Sequence, residues 1–293
     1  MVNTRTRGVY FVANDAMVDL VIAFLNSFRR YNPDISLCFI PYDDYTDDIR
    51  GLARIYRFSE LADVEALARC DSISYPLYGV SAGQYRKLAA WQGRFDEFIY
   101  IDVDTIVLSN VNFAFEWLGE YQFITARSNV PEYVKWVWKE SMWSAGVLSN
   151  EQIAYAACTS FIVSQRGALC LDKITRRMAE IKNVAPHMEL FCAEQPLLNY
   201  LIVTSGKGYS SLQSIAAKSR RVDIPLEHSG ERWCGVSRNG EIVMAANQTR
   251  PLMIHWAGVW REQRHKSSGI WNYYRSLGTA EMGSGNGDAR LPE

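Results

Sequence analysis

The 293 residues carry 31 Lys and Arg against 32 Asp and Glu, a formal net charge of −1. The basic residues are spread along the chain, with only short pairs at Arg29-Arg30, Arg176-Arg177 and Arg220-Arg221, which weighs against nucleic acid as a macromolecular partner. No stretch reaches the ~20 apolar residues of a membrane span, and the apolar run behind the basic start MVNTRTRGVYFV breaks at Asn14-Asp15. Neither an integral membrane segment nor a secretory leader is expected. The six cysteines form no CxxC pair, and Cys38, Cys158 and Cys192 sit inside apolar runs. Reduced, buried thiols and a soluble cytoplasmic protein are the expectation.

In chain order, GVYFVA (residues 8–13) has the β-branched and aromatic content of a strand. From Asp15 the spacing Val18, Val21, Ile22, Leu25, Phe28 is helical, and Asn32-Pro33-Asp34 ends that helix. Residues 35–40 read as a second strand, completing a β-α-β opening. Ser59 reads as the cap of a helix running to about Cys70, with an acidic first turn. A helix is expected over 82–91, then a strand over 97–103. A helical piece at 115–121 and a strand at 122–126 follow. Residues 132–144 read as a helix, 159–163 as a strand and 166–183 as a long helix. A further helix over 188–203 has Pro196 in its first turn. Strands are expected near 242–246 and 252–255. The end, residues 278–293, is polar and glycine-rich and reads as a tail. No internal repeat is visible. The alternation predicts an α/β fold: one domain over 1–277 with a mixed, mostly parallel central sheet and helices on both faces. Ligands of such sheets sit at the carboxyl ends of the strands, where Asp15, Asp43 and Asp102 all fall.

The sharpest local feature is FDEFIYIDVDTIVLSNV. Asp102 and Asp104 flank Val103 at the end of an apolar strand, and residues i and i+2 of an extended segment point the same way. Two carboxylates on one face repel each other and lose hydration; a divalent cation relieves both. Oxygen donors suit Mg²⁺ or Mn²⁺. His255 follows the run LMI, and an imidazole added to two aspartates biases the site toward Mn²⁺. Gly258 allows a close backbone approach to a phosphate, and Arg261 can meet the same phosphate with its fork of donors. The cluster Tyr133, Trp136, Trp138 and Trp143 is interleaved with Lys135, Lys139 and Glu140. It reads equally as a helix packed over the sheet and as the wall of a sugar or apolar acceptor site.

Four stretches, in this order, resemble the retaining glycosyltransferases of the glycogenin and lipopolysaccharide galactosyltransferase type (family 8), which have the GT-A fold. They are FVANDAMVDLVIAFLNSFRRYNP, YRKL followed by FDEFIYIDVD, AEQPLLNYLI, and HWAGVWR. Together they span about residues 9–261. The resemblance implies that Asp102, Asp104 and His255 hold the metal, and that Ala13, Asn14 and Asp15 lie near base and ribose. It implies that Arg86 reaches the donor phosphate or sugar, and that Gly258 and Arg261 contact the diphosphate, with Val103 in the same donor site. Glu194 and Gln195 would lie beside the donor sugar and the acceptor hydroxyl.

The chain departs from that pattern at Arg261-Glu262, where the family has Lys-Pro. It departs again at Cys158-Thr159-Ser160-Phe161, where the family has an Asn-Ser/Ala-Gly segment. Residues 128–151 have no family counterpart and read as a Trp-rich acceptor lid. The implied activity is metal-dependent transfer of a sugar from a nucleotide diphosphate donor, UDP favoured, to a hydroxyl of a small-molecule or glycan acceptor, with retention of configuration. A sugar-nucleotide nucleotidyltransferase would place a glycine-rich, basic loop after the first strand, where VANDAMVD stands instead. A non-enzymatic nucleotide-sugar binding protein would have lost a metal ligand, and all three candidates are intact.

Overall fold

The computed structural model describes residues 5–232, 234–236, 241–258 and 268–278. The chain opens with β1 (Arg7–Ala13), a short 3₁₀ turn and α1 (Val18–Tyr31), then β2 (Leu37–Pro41), α2 (Asp47–Tyr56), β3 (Phe58–Glu60) and α3 (Val64–Tyr78). A 3₁₀ helix, Gly83–Gln92, leads into β4 (Glu97–Ile101) and β5 (Thr105–Val107). β6 (Phe123–Thr125), α4 (Asn150–Tyr155), β7 (Phe161–Gln165), α5 (Leu171–Arg176), α6 (Met178–Val184) and α7 (Gln195–Val203) follow. The remaining described elements are β8 (Tyr209–Ser211), α8 (Leu212–Ser219), β9 (Glu227–Ser229), β10 (Cys234–Val236), β11 (Ile242–Met244), β12 (Met253–His255) and α9 (Gly269–Ser276).

The main sheet has seven strands in the order β3-β2-β1-β4-β7-β6-β8. Only β7 runs against its neighbours, pairing antiparallel with β4 and β6; the other pairs are parallel. Alternate residues of β1 feed opposite faces. Val9 and Phe11 pack with Phe24 and Phe28 of α1 in one apolar cluster. Tyr10 and Val12 pack on the other face with Trp91 of the 3₁₀ helix and Leu198 of α7. This is the mixed, mostly parallel sheet, covered on both faces, that the alternation of elements predicts.

A second sheet, β5-β12-β9, stands beside the first. β12 pairs antiparallel with β5, setting His255 opposite Thr105, and parallel with β9. The chain passes from the large sheet to the small one between β4 and β5, at residues 102–104. That crossing carries both aspartates.

Several boundaries differ from the sequence reading. Ser59 lies in β3, and the helix behind it is capped by Asp63, whose side chain accepts from the Ala66 N–H at 2.9 Å. Residues 132–144 are not one helix. Short 3₁₀ turns, Pro131–Trp136 and Glu140–Met142, frame a stretch that pairs with the 187–189 segment instead: Lys139 N–H donates to the His187 carbonyl and Glu189 N–H to the Val137 carbonyl. Lateral pairing here replaces helical hydrogen bonds. The helix expected over 166–183 is broken into α5 and α6 at Arg177, and that over 82–91 is 3₁₀. The strand expected through Val103 stops at Ile101. Pro196 does sit in the first turn of α7. The polar tail from residue 279 lies outside the described residues. Among the described residues no helix is long and apolar enough to cross a membrane.

Candidate active site

Asp102 and Asp104 belong to the turn between β4 and β5 rather than to a strand. The turn is fixed at both ends. Asp102 N–H donates to the Ser160 carbonyl at 2.8 Å, and Trp256 N–H donates to the Asp104 carbonyl at 3.0 Å. The Thr105 hydroxyl donates to the Asp102 carbonyl at 2.7 Å. Because β12 lies against β5, His255 at the end of β12 meets this turn. The donor atoms of Asp102, Asp104 and His255 all lie within 4.8 Å of one another. Val103, between the aspartates, lines the adjoining cavity with Tyr42, Tyr100 and Glu194.

Each aspartate has its own buried cation. The Lys87 ammonium lies 3.1 Å from Asp102 and 2.5 Å from Glu194, also donates to the Thr159 carbonyl at 3.2 Å, and sits 4.5 Å from the centre of the Tyr100 ring. Burial opposes its charge, but Asp102 and Glu194 outweigh burial and hold the Lys87 pKa above the ordinary range. Burial pushes the Glu194 carboxyl up, against the pull of Lys87. The Tyr100 hydroxyl donates to Asp102 at 2.7 Å, and its own pKa is raised by burial and by that carboxylate.

On the other side, His255 Nε2 is 3.3 Å from Asp104 and Nδ1 is 2.7 Å from Glu227. Burial works against protonation, yet Asp104 and the neighbouring Cys158 hold the imidazole pKa well above 6.5. Burial raises the Glu227 carboxyl, but the His255 contact dominates and holds it below its ordinary value.

The sequence reading picked Arg86 as the cation near the donor and passed over its neighbour. In a 3₁₀ helix successive side chains are ~120° apart, so the two residues point to different places. Lys87 faces the aspartates. Arg86 lies in an adjacent groove, where its guanidinium forks onto Asp71 at 2.7 and 2.9 Å and donates to the Pro41 carbonyl at 3.2 Å. Gly83 lets this helix press against the β2 end: a Cβ there would sit 2.2 Å from the Tyr42 carbonyl oxygen.

Ala13 ends β1. Asn14 donates to Asp43 at 2.6 Å, and its Oδ1 is buried without a partner among the described residues. The Asp15 carboxylate accepts from the N–H groups of Asp47 and Ile49 at the start of α2, satisfying donors that a helix start leaves open. Gln195 is tied on both sides: Oε1 accepts from the Thr159 N–H at 3.3 Å and Nε2 donates to the Trp136 carbonyl at 3.1 Å. Before this pair, Ala193 adopts φ 56° and ψ −126°, a costly conformation for a residue with a Cβ. It turns Glu194 inward to 6 % exposure. Gly258 follows β12 with φ 68°, which glycine adopts freely. Arg261 lies outside the described residues.

Two site residues escaped the sequence reading. Lys87 had a signal, the YRKL stretch. Glu227 had almost none, because β9 is three polar-leaning residues long.

This architecture is the GT-A fold seen in solved glycosyltransferases. It is similar to the glycosyltransferase GlyE of Streptococcus pneumoniae TIGR4, at 16 % identity and TM-score 0.51, over 96 % of this chain and 62 % of that one. It is also similar to the galactosyltransferase LgtC: an active-site mutant matches at 14 % identity and TM-score 0.57 over 94 % of both chains. The complex of LgtC with donor and acceptor sugar analogues matches at 14 % identity and TM-score 0.53, over 92 % of this chain and 97 % of that one. The chain thus spans about three-fifths of the GlyE chain. At these identities the likeness is one of fold. No family model and no curated protein matches the sequence.

Proposed function

We propose that the chain is a metal-dependent glycosyltransferase that moves a sugar from a nucleotide diphosphate donor, UDP favoured, to a hydroxyl of a glycan or small-molecule acceptor with retention of configuration. The observation that carries this reading is the meeting of Asp102, Asp104 and His255 at the carboxyl end of the sheet, in a fold where ligands bind at that edge. The donor set, two carboxylates and one imidazole nitrogen, fits Mn²⁺ or Mg²⁺. Bound there, such an ion supplies Lewis-acid stabilisation of the negative charge on the departing diphosphate.

The chain's own groups do the rest. The unpaired Oδ1 of Asn14 and the end of β1 form a polar edge for base and ribose, beside Asp15. The backbone at Gly258 would meet the diphosphate, and Arg261, outside the described residues, is assigned to the same group on the sequence resemblance alone. Lys87 is a fixed positive charge already in position, so it needs no reorganisation as charge develops. Arg86, neutralised by Asp71, acts at the rim of the donor groove by holding the β2 end. Glu194 and Gln195 orient the donor sugar and the incoming hydroxyl. A front-side attack, with the leaving phosphate oxygen accepting the acceptor's proton, suits these groups. The Gln195 amide is a poor nucleophile, and the Glu194 carboxylate is already engaged by Lys87. The Trp-rich segment, joined to Gln195 through the Trp136 carbonyl, presents Trp136 and Trp143 half-exposed as an acceptor-side wall.

Donor hydrolysis across a panel of nucleotide sugars, with and without Mn²⁺, tests the reading. Metal-dependent turnover of one donor is expected. No metal-dependent turnover or binding of any donor would overturn it.

A further inference from the structure

Resting on that reading, we infer that Glu227 is a positioning residue for the metal site: it fixes the tautomer and direction of His255, so that Nε2 presents its lone pair to the Asp102–Asp104 turn. The three short strands of the small sheet lay out a row: Asp104 just before β5, His255 at the end of β12, Glu227 at the start of β9. In the parallel β9–β12 pair, Glu227 lies beside Met253 and Ser229 beside His255. Side chains alternate along a strand, so Glu227 shares the His255 face, and His228 takes the other. A one-residue slip of β9 would exchange them.

The chemistry follows from donor and acceptor capacity. An ionised carboxylate only accepts. Glu227 Oε1, 2.7 Å from Nδ1, therefore requires the proton on Nδ1. In the neutral ring the lone pair then belongs to Nε2, which lies 3.3 Å from Asp104. Histidines that bind metals commonly donate their other N–H to a carboxylate in this way, which fixes the ring and raises its basicity.

The remaining contacts of Glu227 do not need a charge. Ser160 Oγ donates to Oε1 at 3.0 Å, and the Cys158 thiol lies 3.7 Å from it; neutral acceptors would serve both. A carboxylate buried to 3 % exposure is costly without strong hydrogen-bond donors, and His255 Nδ1 at 2.7 Å is the shortest contact it has.

The test is titration of Mn²⁺ alone into the full chain, with free ion read by room-temperature electron paramagnetic resonance and folding read by thermal melting. Glu227→Gln keeps the shape and removes the charge. Its amide can also turn its NH₂ toward Nδ1 and force the ring proton onto Nε2. We expect Mn²⁺ affinity to fall roughly ten- to a hundredfold, Glu227→Asp to recover part of the loss, and the melting temperatures to change little. A lower melting temperature with unchanged Mn²⁺ affinity would make Glu227 a packing residue and overturn the inference. Two ions per parent chain, falling to one in Glu227→Gln, would make it a ligand and overturn it equally. If Glu227→Gln does not fold, Glu227→Asp decides alone: weakened Mn²⁺ binding at parental melting temperature supports the inference, and parental binding refutes it. Asp104→Ala separates the two levels. If parent and Asp104→Ala bind Mn²⁺ equally or not at all, the metal reading itself fails. If only the parent binds while Glu227→Gln matches it, the inference alone fails.

Discussion

The two sides of the aspartate turn solve one electrostatic problem differently. On the Asp102 side a lysine lies between two carboxylates, Asp102 and Glu194. On the Asp104 side a histidine lies between two others, Asp104 and Glu227. Both cations are buried, and both are held charged against the cost of burial, Lys87 by Asp102 and Glu194 and His255 by Asp104 and Cys158. Lysine keeps its charge throughout the ordinary pH range and has no lone pair to give while it does. Histidine can release a proton and ligate. One side is thus a permanent counter-charge; the other, on the proposed reading, is where a metal ion would replace a proton. The comparison also explains why Asp102 and Asp104 are not equivalent: the first accepts from Lys87 and Tyr100, while the second faces the exchangeable histidine.

The sharpest way to break the comparison is to remove the permanent charge. Lys87→Met leaves the buried Glu194 and the partly exposed Asp102 without their cation, and a loss of about 3–5 kcal/mol in denaturant melts is expected. Adding Glu194→Gln to that background should restore part of it. A stability equal to the parent's would mean that the lysine is no counter-charge. Gly83→Ala acts on the same side through the backbone. Its Cβ meets the rigid Tyr42 carbonyl, so a cost of about 1–3 kcal/mol is expected, with a shifted Lys87 visible as lower donor turnover.

The histidine side should instead show pH dependence. With the folded pKa of His255 raised above 6.5, its stabilisation of the metal-free protein is fully present below pH 6.5. It is lost as pH rises through the folded value. Melting temperatures of parent and His255→Gln measured against pH should therefore converge toward alkaline pH; parallel curves would contradict the charged row. The smallest effect lies far from both sides. Arg177 and Tyr200 draw the Glu180 carboxyl down to about 2. Its contribution is present above about pH 4.5 and fades as pH falls toward 2. Half-exposed as it is, Glu180→Gln should cost under about 1 kcal/mol at pH 7, with the gap closing in acid melts.

Much of this arrangement was legible in the sequence because it depends on local patterns. The apolar run Phe98–Ile101 announced β4, the spacing from Val18 to Phe28 announced α1, and the aspartate pair marked the acidic turn between β4 and β5. What escaped depends on tertiary placement. Residues 132–144 carry a helix-like aromatic spacing, yet lateral pairing with the 187–189 segment takes their backbone groups. Arg86 and Lys87 are adjacent and chemically alike, and only the helix phase decides which faces the aspartates. Glu227 enters through a three-residue strand whose partner, β12, is 24 residues further along the chain, a juxtaposition that no local periodicity encodes.

The most direct test of the account is hydrolysis of a nucleotide-sugar panel by parent and Asp104→Ala, each with and without Mn²⁺, since slow donor hydrolysis needs no known acceptor. The account predicts turnover of one donor that requires Mn²⁺ and disappears in Asp104→Ala. Equal turnover in parent and variant, or none that depends on the ion, would contradict it and leave a nucleotide-sugar binding protein as the reading to pursue.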